Sequence, residues 1–170
     1  MPKIDPWVGS AVFSDGDIDD ISKARYRYRL TRVWSTGQGR ICFIMLNPST
    51  ATADISDPTV RRCEKFARRW KFAVLNVVNI FAIRSTNPRA LYGAVDPVGP
   101  ENDSWICKTA SDSDLVIAAW GVHGVHMGRG KYVADMVSKI TQLRCLGQTK
   151  EGFPRHPLYL RADAKAVNYA

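Results

Sequence analysis

Ile41-Cys42-Phe43-Ile44-Met45-Leu46-Asn47-Pro48, continuing into Ser49 and Thr50, runs six apolar residues without alternation and stops at an Asn-Pro pair. An unbroken apolar run of this length, closed by a turn signal, reads as a strand buried on both faces. Strands of that kind occupy the middle of parallel α/β sheets, where ligands bind just past the carboxyl ends. Asn47, Ser49 and Thr50 therefore fall where a site belongs. Pro48 fixes its own φ and drives Asn47 out of the helical region, which makes the turn rigid. The same residues would also serve as a plain strand-ending turn with a helix cap.

Working outward, Ala73 to Val78, Leu115 to Trp120 and Leu143 to Leu146 repeat the pattern of short apolar runs. Amphipathic helices separate them. Asp57 is a helix cap with Pro58 in the first turn, and Val60, Cys63, Phe66, Ala67 and Trp70 follow at three- and four-residue steps. The polar face of this helix carries Arg61, Arg62, Lys65, Arg68 and Arg69. A helix is expected over 101–110 and another through Tyr132, Val133, Met136, Val137 and Ile140. The Pro- and Gly-rich stretch from Arg84 to Pro100 reads as a long loop, either functional or partly ordered.

Before the central strand, Tyr26, Tyr28 and Leu30 alternate with Arg25, Arg27 and Arg29. That period of two predicts a half-exposed antiparallel strand with a basic outer face. Asp15 to Asp20 reads as an acidic turn. The expected architecture is a three-layer α/β/α sandwich. It has a short, mainly parallel four-stranded sheet, preceded by an antiparallel hairpin. Residues 1–170 are read as one domain: an arm at 1–10, a basic hairpin at 11–40, a core at 41–160 and a tail at 161–170.

The chain carries a formal net charge of +8. Its pI near 9.5 points to a polyanionic partner, nucleic acid first. No apolar run is long enough to span a bilayer, so no membrane partner and a cytoplasmic location are expected. The four cysteines, Cys42, Cys63, Cys107 and Cys145, form no CxxC or Cys/His pattern and read as reduced thiols. His123 and His126 have no nearby carboxylate to complete a metal set, and His123 is given no role. No metal and no cofactor are expected. Gly121, Gly124, Gly128 and Gly130 miss the GxGxxG register, and no Walker lysine or GxSxG elbow is present.

The polar residues gather at strand ends: Asn47 after the first buried strand, Asn76 and Asn79 at the second, Gly121 to His126 after the third, and His156 after the fourth. In a parallel sheet these ends share one edge, which predicts a cleft. Several segments are similar to a bacterial and phage family catalogued only as a domain of unknown function, DUF1643. They are Asn47-Pro48-Ser49-Thr50, Asp57 to Arg62, Asn76-Val77-Val78-Asn79, Asp96 to Asp103, Ala118 to Gly121 and Arg155 to Leu160.

More distantly, the order of motifs resembles the uracil-DNA glycosylase superfamily. Leu46-Asn47-Pro48 resembles its water-activating turn, and Leu75-Asn76-Val77-Val78 its base-reading strand end. Trp120-Gly121-Val122-His123-Gly124 resembles its third strand end, and His156-Pro157-Leu158 its His-Pro wedge loop. The resemblance implies cleavage of an N-glycosidic bond to a base flipped out of DNA. It makes Asn47 and His156 catalytic. Pro48, Ser49, Asn76, Asn79, Trp120, Leu158 and Tyr159 would contact the base or its surroundings, with Leu158 or Tyr159 as wedge. Thr50, Arg61, Arg62, Arg84 and Arg155 would hold phosphates. No aromatic residue stands at Thr59 or Val60, where that superfamily stacks one on the base, so a non-standard or modified base is expected. The alternatives are a non-catalytic module that recognises nucleic acid or a modified nucleotide, and a hydrolase of free nucleotides.

Overall fold

The computed structural model describes residues 5–14 and 24–169. The acidic turn expected at Asp15 to Asp20 lies outside the described residues. The strands are β1 (Val8–Phe13), β2 (Arg27–Val33), β3 (Arg40–Met45), β4 (Val74–Asn79), β5 (Leu115–Ala118), β6 (Leu143–Cys145) and β7 (Val167–Asn168). They form one seven-stranded sheet in the order β1-β2-β4-β3-β5-β6-β7. β3 runs parallel to both β4 and β5, and β5 parallel to β6. The pairs β1–β2, β2–β4 and β6–β7 are antiparallel. The α-helices are α1 (Pro58–Arg69), α2 (Asn102–Ser111) and α3 (Arg129–Ser138). Among the described residues no helix is long and apolar enough to cross a membrane.

The class is α/β, and β3 is its centre. Five of its six residues are buried. Ile41, Phe43 and Met45 pack with Val60, Cys63 and Phe66 of α1. Cys42 and Ile44 point the other way and pack with Ile106 of α2 and Val133 and Val137 of α3. Each buried aliphatic or aromatic side chain contributes roughly 1.5–3 kcal/mol of transfer free energy. An unbroken apolar strand is therefore what a sheet covered by helices on both faces requires. α1 begins where expected: Asp57 Oδ1 accepts from Val60 N at 2.8 Å, and Pro58 occupies the first turn. Its buried stripe is Val60, Cys63, Phe66 and Ala67.

Three expectations are corrected. The sheet has seven strands rather than four, because the N-terminal hairpin does not stand apart. Leu30 to Val33 of β2 pair with Val77 to Val74 of β4 and extend the sheet. The last ten residues are not simply a tail: Val167 and Asn168 pair with Cys145 and Arg144, and Tyr169 N donates to Leu143 O at 3.0 Å. A two-residue edge strand has no room to show a hydrophobic period.

The third correction concerns the basic outer face of β2. Arg27 is 2 % exposed and Arg32 is fully buried. The β1–β2 register slips between Val12, opposite Arg29, and Phe13, opposite Arg27. Tyr28 is the extra residue of a β-bulge, which reverses the side-chain alternation beyond it. Tyr28 and Arg29 turn toward Trp105 of α2. Arg27 turns to the face of Leu30 and Arg32, where α1 lies.

Candidate active site

The carboxyl ends of β3, β4 and β5 open into a cavity of about 540 Å³. Met45, Leu46, Val60, Val77 and Trp120 give it apolar walls. Several elements supply polar groups. Asn47 and Ser49 follow β3, and Asp57 heads α1. Asn79 ends β4, Arg155 and His156 come from the loop after β6, and Arg27 reaches in from the bulge of β2. Parallel strands starting from one side deliver their following turns to one edge, which is why residues so far apart in sequence meet here.

Asn47 is rigidly held. Its Nδ2 donates to Pro48 O at 3.1 Å and to Ser85 O at 2.9 Å. Both amide protons are thereby used, and the side-chain carbonyl oxygen is the polar group left for a ligand or water. Ser85 N in turn donates to Pro48 O at 2.9 Å, which ties the long loop after β4 to the Asn-Pro turn.

The segment that follows is clamped by two buried arginines. Arg27 Nη1 donates to Ala51 O at 2.9 Å. Arg32 donates to Thr52 O at 2.7 Å, Ile55 O at 3.0 Å and Ala53 O at 3.1 Å, with its guanidinium over the Trp7 ring. Bonds from a charged donor to carbonyls are strong, so this loop is a fixed wall. Burial pulls the Arg27 guanidinium down to about 10, opposed by the charge of Asp57. Asp57 is 9 % exposed and spends one carboxylate oxygen on the cap.

His156 begins the turn Pro157–Tyr159. Leu158 N donates to its Nδ1 at 3.2 Å, so that nitrogen carries the lone pair. The proton of the neutral ring is then on Nε2. Burial lowers the His156 pKa below its ordinary value, with the charge of Asp57 acting against the shift. The ring is therefore neutral at pH 7, with one N–H to donate. The turn is held by α1: Arg62 Nε donates to Pro157 O at 3.3 Å, and Arg62 Nη2 donates to Leu160 O. Beside it Tyr159 is 84 % exposed, and its ring lies 5.6 Å from that of His156.

Of the residues singled out in the sequence, Asn47, Ser49, Asn79, Trp120, Arg155, His156 and Tyr159 line the cavity. The others sit elsewhere. Pro48 is buried behind the turn as a hydrogen-bond acceptor. Leu158 is partly exposed next to the mouth. Thr50 is exposed and outside the lining.

Asn76 is corrected from base reader to sheet residue: its Oδ1 accepts from Thr31 Oγ1 at 2.8 Å across β2–β4. Three residues on, Asn79 lines the cavity. Arg62 is corrected from phosphate clamp to anchor of the His156 turn. Arg84 is half-buried, donates to Ala24 O at 3.1 Å and lies over the Phe13 ring. Arg61 is exposed on α1 away from the lining.

Arg27, Asp57, Ser85 and His123 also line the cavity without having been picked out for it. Asp57 was visible as a cap, and a cap uses only one of two oxygens. Arg27 gave no signal, because a bulge leaves no mark in the alternation. His123 Nδ1 lies 3.1 Å from Tyr92 Oη.

The exit of β4 is built by residues further along. Asn102 Nδ2 donates to Asn79 O at 2.8 Å and to Ile80 O at 3.2 Å, and Arg129 Nε donates to Ile80 O at 2.7 Å. Arg129 also pairs with Asp103. These bonds account for the polar Asn102-Asp103 pair at the start of α2. Gly121, after β5, has φ 73 and ψ −165, a conformation that L side chains rarely adopt. Among the described residues no group of three or more His, Cys, Asp or Glu side chains could hold a metal ion.

No curated protein and no solved structure is matched by this chain. The model of the family described as a protein of unknown function, DUF1643, matches residues 27–158, and the chain belongs to that family.

Proposed function

We propose that the protein is a DNA glycosylase-like hydrolase that cleaves the N-glycosidic bond of a non-standard or modified base. The observation that carries the reading is a single cavity that combines a fixed amide carbonyl (Asn47), a carboxylate (Asp57) and a neutral imidazole N–H donor (His156). Hydrolysis needs these groups. The bond from C1′ to the base nitrogen breaks with its electron pair leaving on the base, while a water oxygen bonds to C1′. Asn47 Oδ1 accepts from that water and orients it. Asp57 accepts the proton that the water loses as it attacks. His156 Nε2–H donates to the departing base, where negative charge builds up. The base then takes up one proton, so the products are a C1′ hydroxyl and a neutral base.

The distant resemblance to the uracil-DNA glycosylase superfamily supports the same roles. It would make the helix-covered sheet a three-layer sandwich of that type. Tyr159 and Leu158, exposed beside the cavity, suit a wedge that fills the gap left by a flipped base.

A second reading, hydrolysis of a free nucleotide, is favoured by one observation: Arg62 and Arg84, two of the five expected phosphate contacts, are bonded to backbone carbonyls. The test is incubation with single- and double-stranded oligonucleotides bearing normal, deaminated and hypermodified bases, and with the matching free nucleotides. Abasic sites are read by alkaline cleavage. Release that Asn47→Ala, Asp57→Asn or His156→Ala abolishes is the expected result. No release from any substrate refutes the reading.

A further inference from the structure

Exposed aromatic rings border the mouth of the cavity on two sides. Tyr159 lines it, in the turn that Arg62 of α1 holds. The other ring is Tyr92, in the 3₁₀ turn Pro88–Gly93 of the long loop after β4. Its hydroxyl lies 3.1 Å from Nδ1 of His123, which lines the cavity together with Pro88 and Val122. The two rings stand on opposite faces of the sheet. Leu160, next to Tyr159, packs with the α1 core, whereas Leu91, next to Tyr92, packs with the α2–α3 core. Tyr92 is propped in place. Its ring centre lies 4.4 Å from that of His126, which lies 5.6 Å from that of the buried Phe81. Half of Tyr92 nonetheless stays in water, at 50 % exposure. A ring fixed before binding gives up little freedom when another ring stacks on it.

Each ring has an arginine beside it. Arg89 and Tyr92 stand three residues apart in a 3₁₀ turn, where such side chains eclipse. Arg155 and Tyr159 share the loop after β6. Both arginines are exposed. Among the described residues the Arg89 guanidinium has no partner, and Arg155 spends only its Nε, on Gln148 O at 3.1 Å. The one carboxylate in the lining, Asp57, is buried. Free cations next to exposed rings suit a single strand of nucleic acid, whose phosphates seek cations and whose unpaired bases offer their faces. A duplex keeps those faces against its own neighbouring pairs. A second copy of this chain, at formal net charge +8, would bring arginine against arginine.

We propose that the mouth of the cavity is a binding surface for single-stranded DNA. Tyr159 fills the gap beside the base in the cavity and stacks on one neighbour, Tyr92 stacks on the other, and Arg155 and Arg89 take the phosphates. This rests on the base-binding part of the reading above and gives it a substrate class.

The test uses the full chain at one fixed salt concentration, with binding read by fluorescence anisotropy. The probes are a short thymidine strand, that strand annealed to its complement, and a strand of the same length built of tetrahydrofuran units, which keeps the phosphates and has no bases. One base on one aromatic ring contributes about fivefold or more in affinity. The thymidine strand is therefore expected to bind about tenfold or more tightly than the baseless strand and than the duplex. Tyr92→Ser and Tyr159→Ser are each expected to weaken it by about fivefold or more and to leave the baseless strand unaffected, while Tyr92→Phe keeps the affinity. Arg89→Gln is expected to weaken both single strands alike and to lower the salt slope by about 0.7, the share of one phosphate on a single strand.

Equal binding of the baseless strand or of the duplex overturns the inference. So does failure of every strand to bind, or equal loss from Tyr92→Phe and Tyr92→Ser. Self-association in analytical ultracentrifugation that Tyr92→Ser abolishes overturns it too, and makes the surface a contact between copies. Base release from modified duplexes without a single-strand preference overturns the inference and leaves a glycosylase. A single-strand preference without release from any strand keeps the inference and overturns hydrolysis.

Discussion

Replacing Arg62 with alanine tests how the His156 turn is held. Arg62 makes two charged-donor bonds to the turn, to Pro157 O at 3.3 Å and to Leu160 O, and its guanidinium lies 5.3 Å from the Phe66 ring centre. A buried bond of this kind contributes about 1.5–3 kcal/mol. The turn is partly exposed and water can replace part of each bond, so the pair together contributes about 1.5–3 kcal/mol. The contact with Phe66 adds roughly 0.5–1 kcal/mol. The local loss is therefore about 2–4 kcal/mol, which is roughly thirty- to several-hundred-fold in the opening equilibrium.

The reporters are the amides of Leu158, Tyr159 and Leu160. They bond to His156 Nδ1, His156 O and Pro157 O. Hydrogen exchange of Arg62→Ala should speed at these three by at least tenfold. Amides of β3, such as Phe43 and Ile44, should change only as much as global stability does. Urea denaturation supplies that global value. Unchanged exchange at the three amides would refute the assignment of Arg62 as an anchor and return it to the set of free phosphate contacts.

Stability should also depend on pH through His156. Its folded-state pKa lies below the ordinary value because of burial. The unfolded chain therefore takes up the proton first as pH falls. The stabilisation is complete above about pH 6.5, the ordinary histidine value, and is lost as pH drops from there toward the folded value. Urea midpoints measured from pH 7.5 to 5 should fall, and His156→Gln should flatten that slope. Gly121→Ala should destabilise by about 1–3 kcal/mol, although nothing lies within 4 Å of an added Cβ, because φ is +73 and ψ −165. A change below about 0.5 kcal/mol, the size of an ordinary surface substitution, would contradict the strain argument. Asp57→Asn should leave stability within about 1 kcal/mol, since asparagine caps as well as aspartate. The same variant should lose base release, and wild-type turnover by it would remove Asp57 from the mechanism.

Much of this fold could be read from residues 41–48 outward. A buried strand shows as an unbroken apolar run, and α1 shows as a cap followed by a 3.6-residue period. Both signals are local. The sheet's width was not legible, because β2 joins β4 through backbone pairing that leaves no pattern, and β7 is too short to have one. The site was legible where it depends on strand ends: Asn47, Asn79, Trp120 and His156 all reach the cavity. It was not legible where it depends on register. Arg27 leaves the expected outer face because a bulge turns it inward, while Asn76 sits one strand-width from Thr31 and bonds to it. Arg62 and Arg84 show the limit of charge reading, since a sequence records a guanidinium but not the carbonyls it has already found.

The central claim is that Asn47, Asp57 and His156 jointly break a glycosidic bond. It is tested most directly by incubating the full chain with the modified-base oligonucleotides and measuring free base by mass spectrometry and abasic strand by alkaline cleavage. The account predicts equal amounts of both products, with loss of both in Asn47→Ala and His156→Ala proteins that remain folded. Absence of both products across the whole panel, or release that persists in those variants, would contradict it.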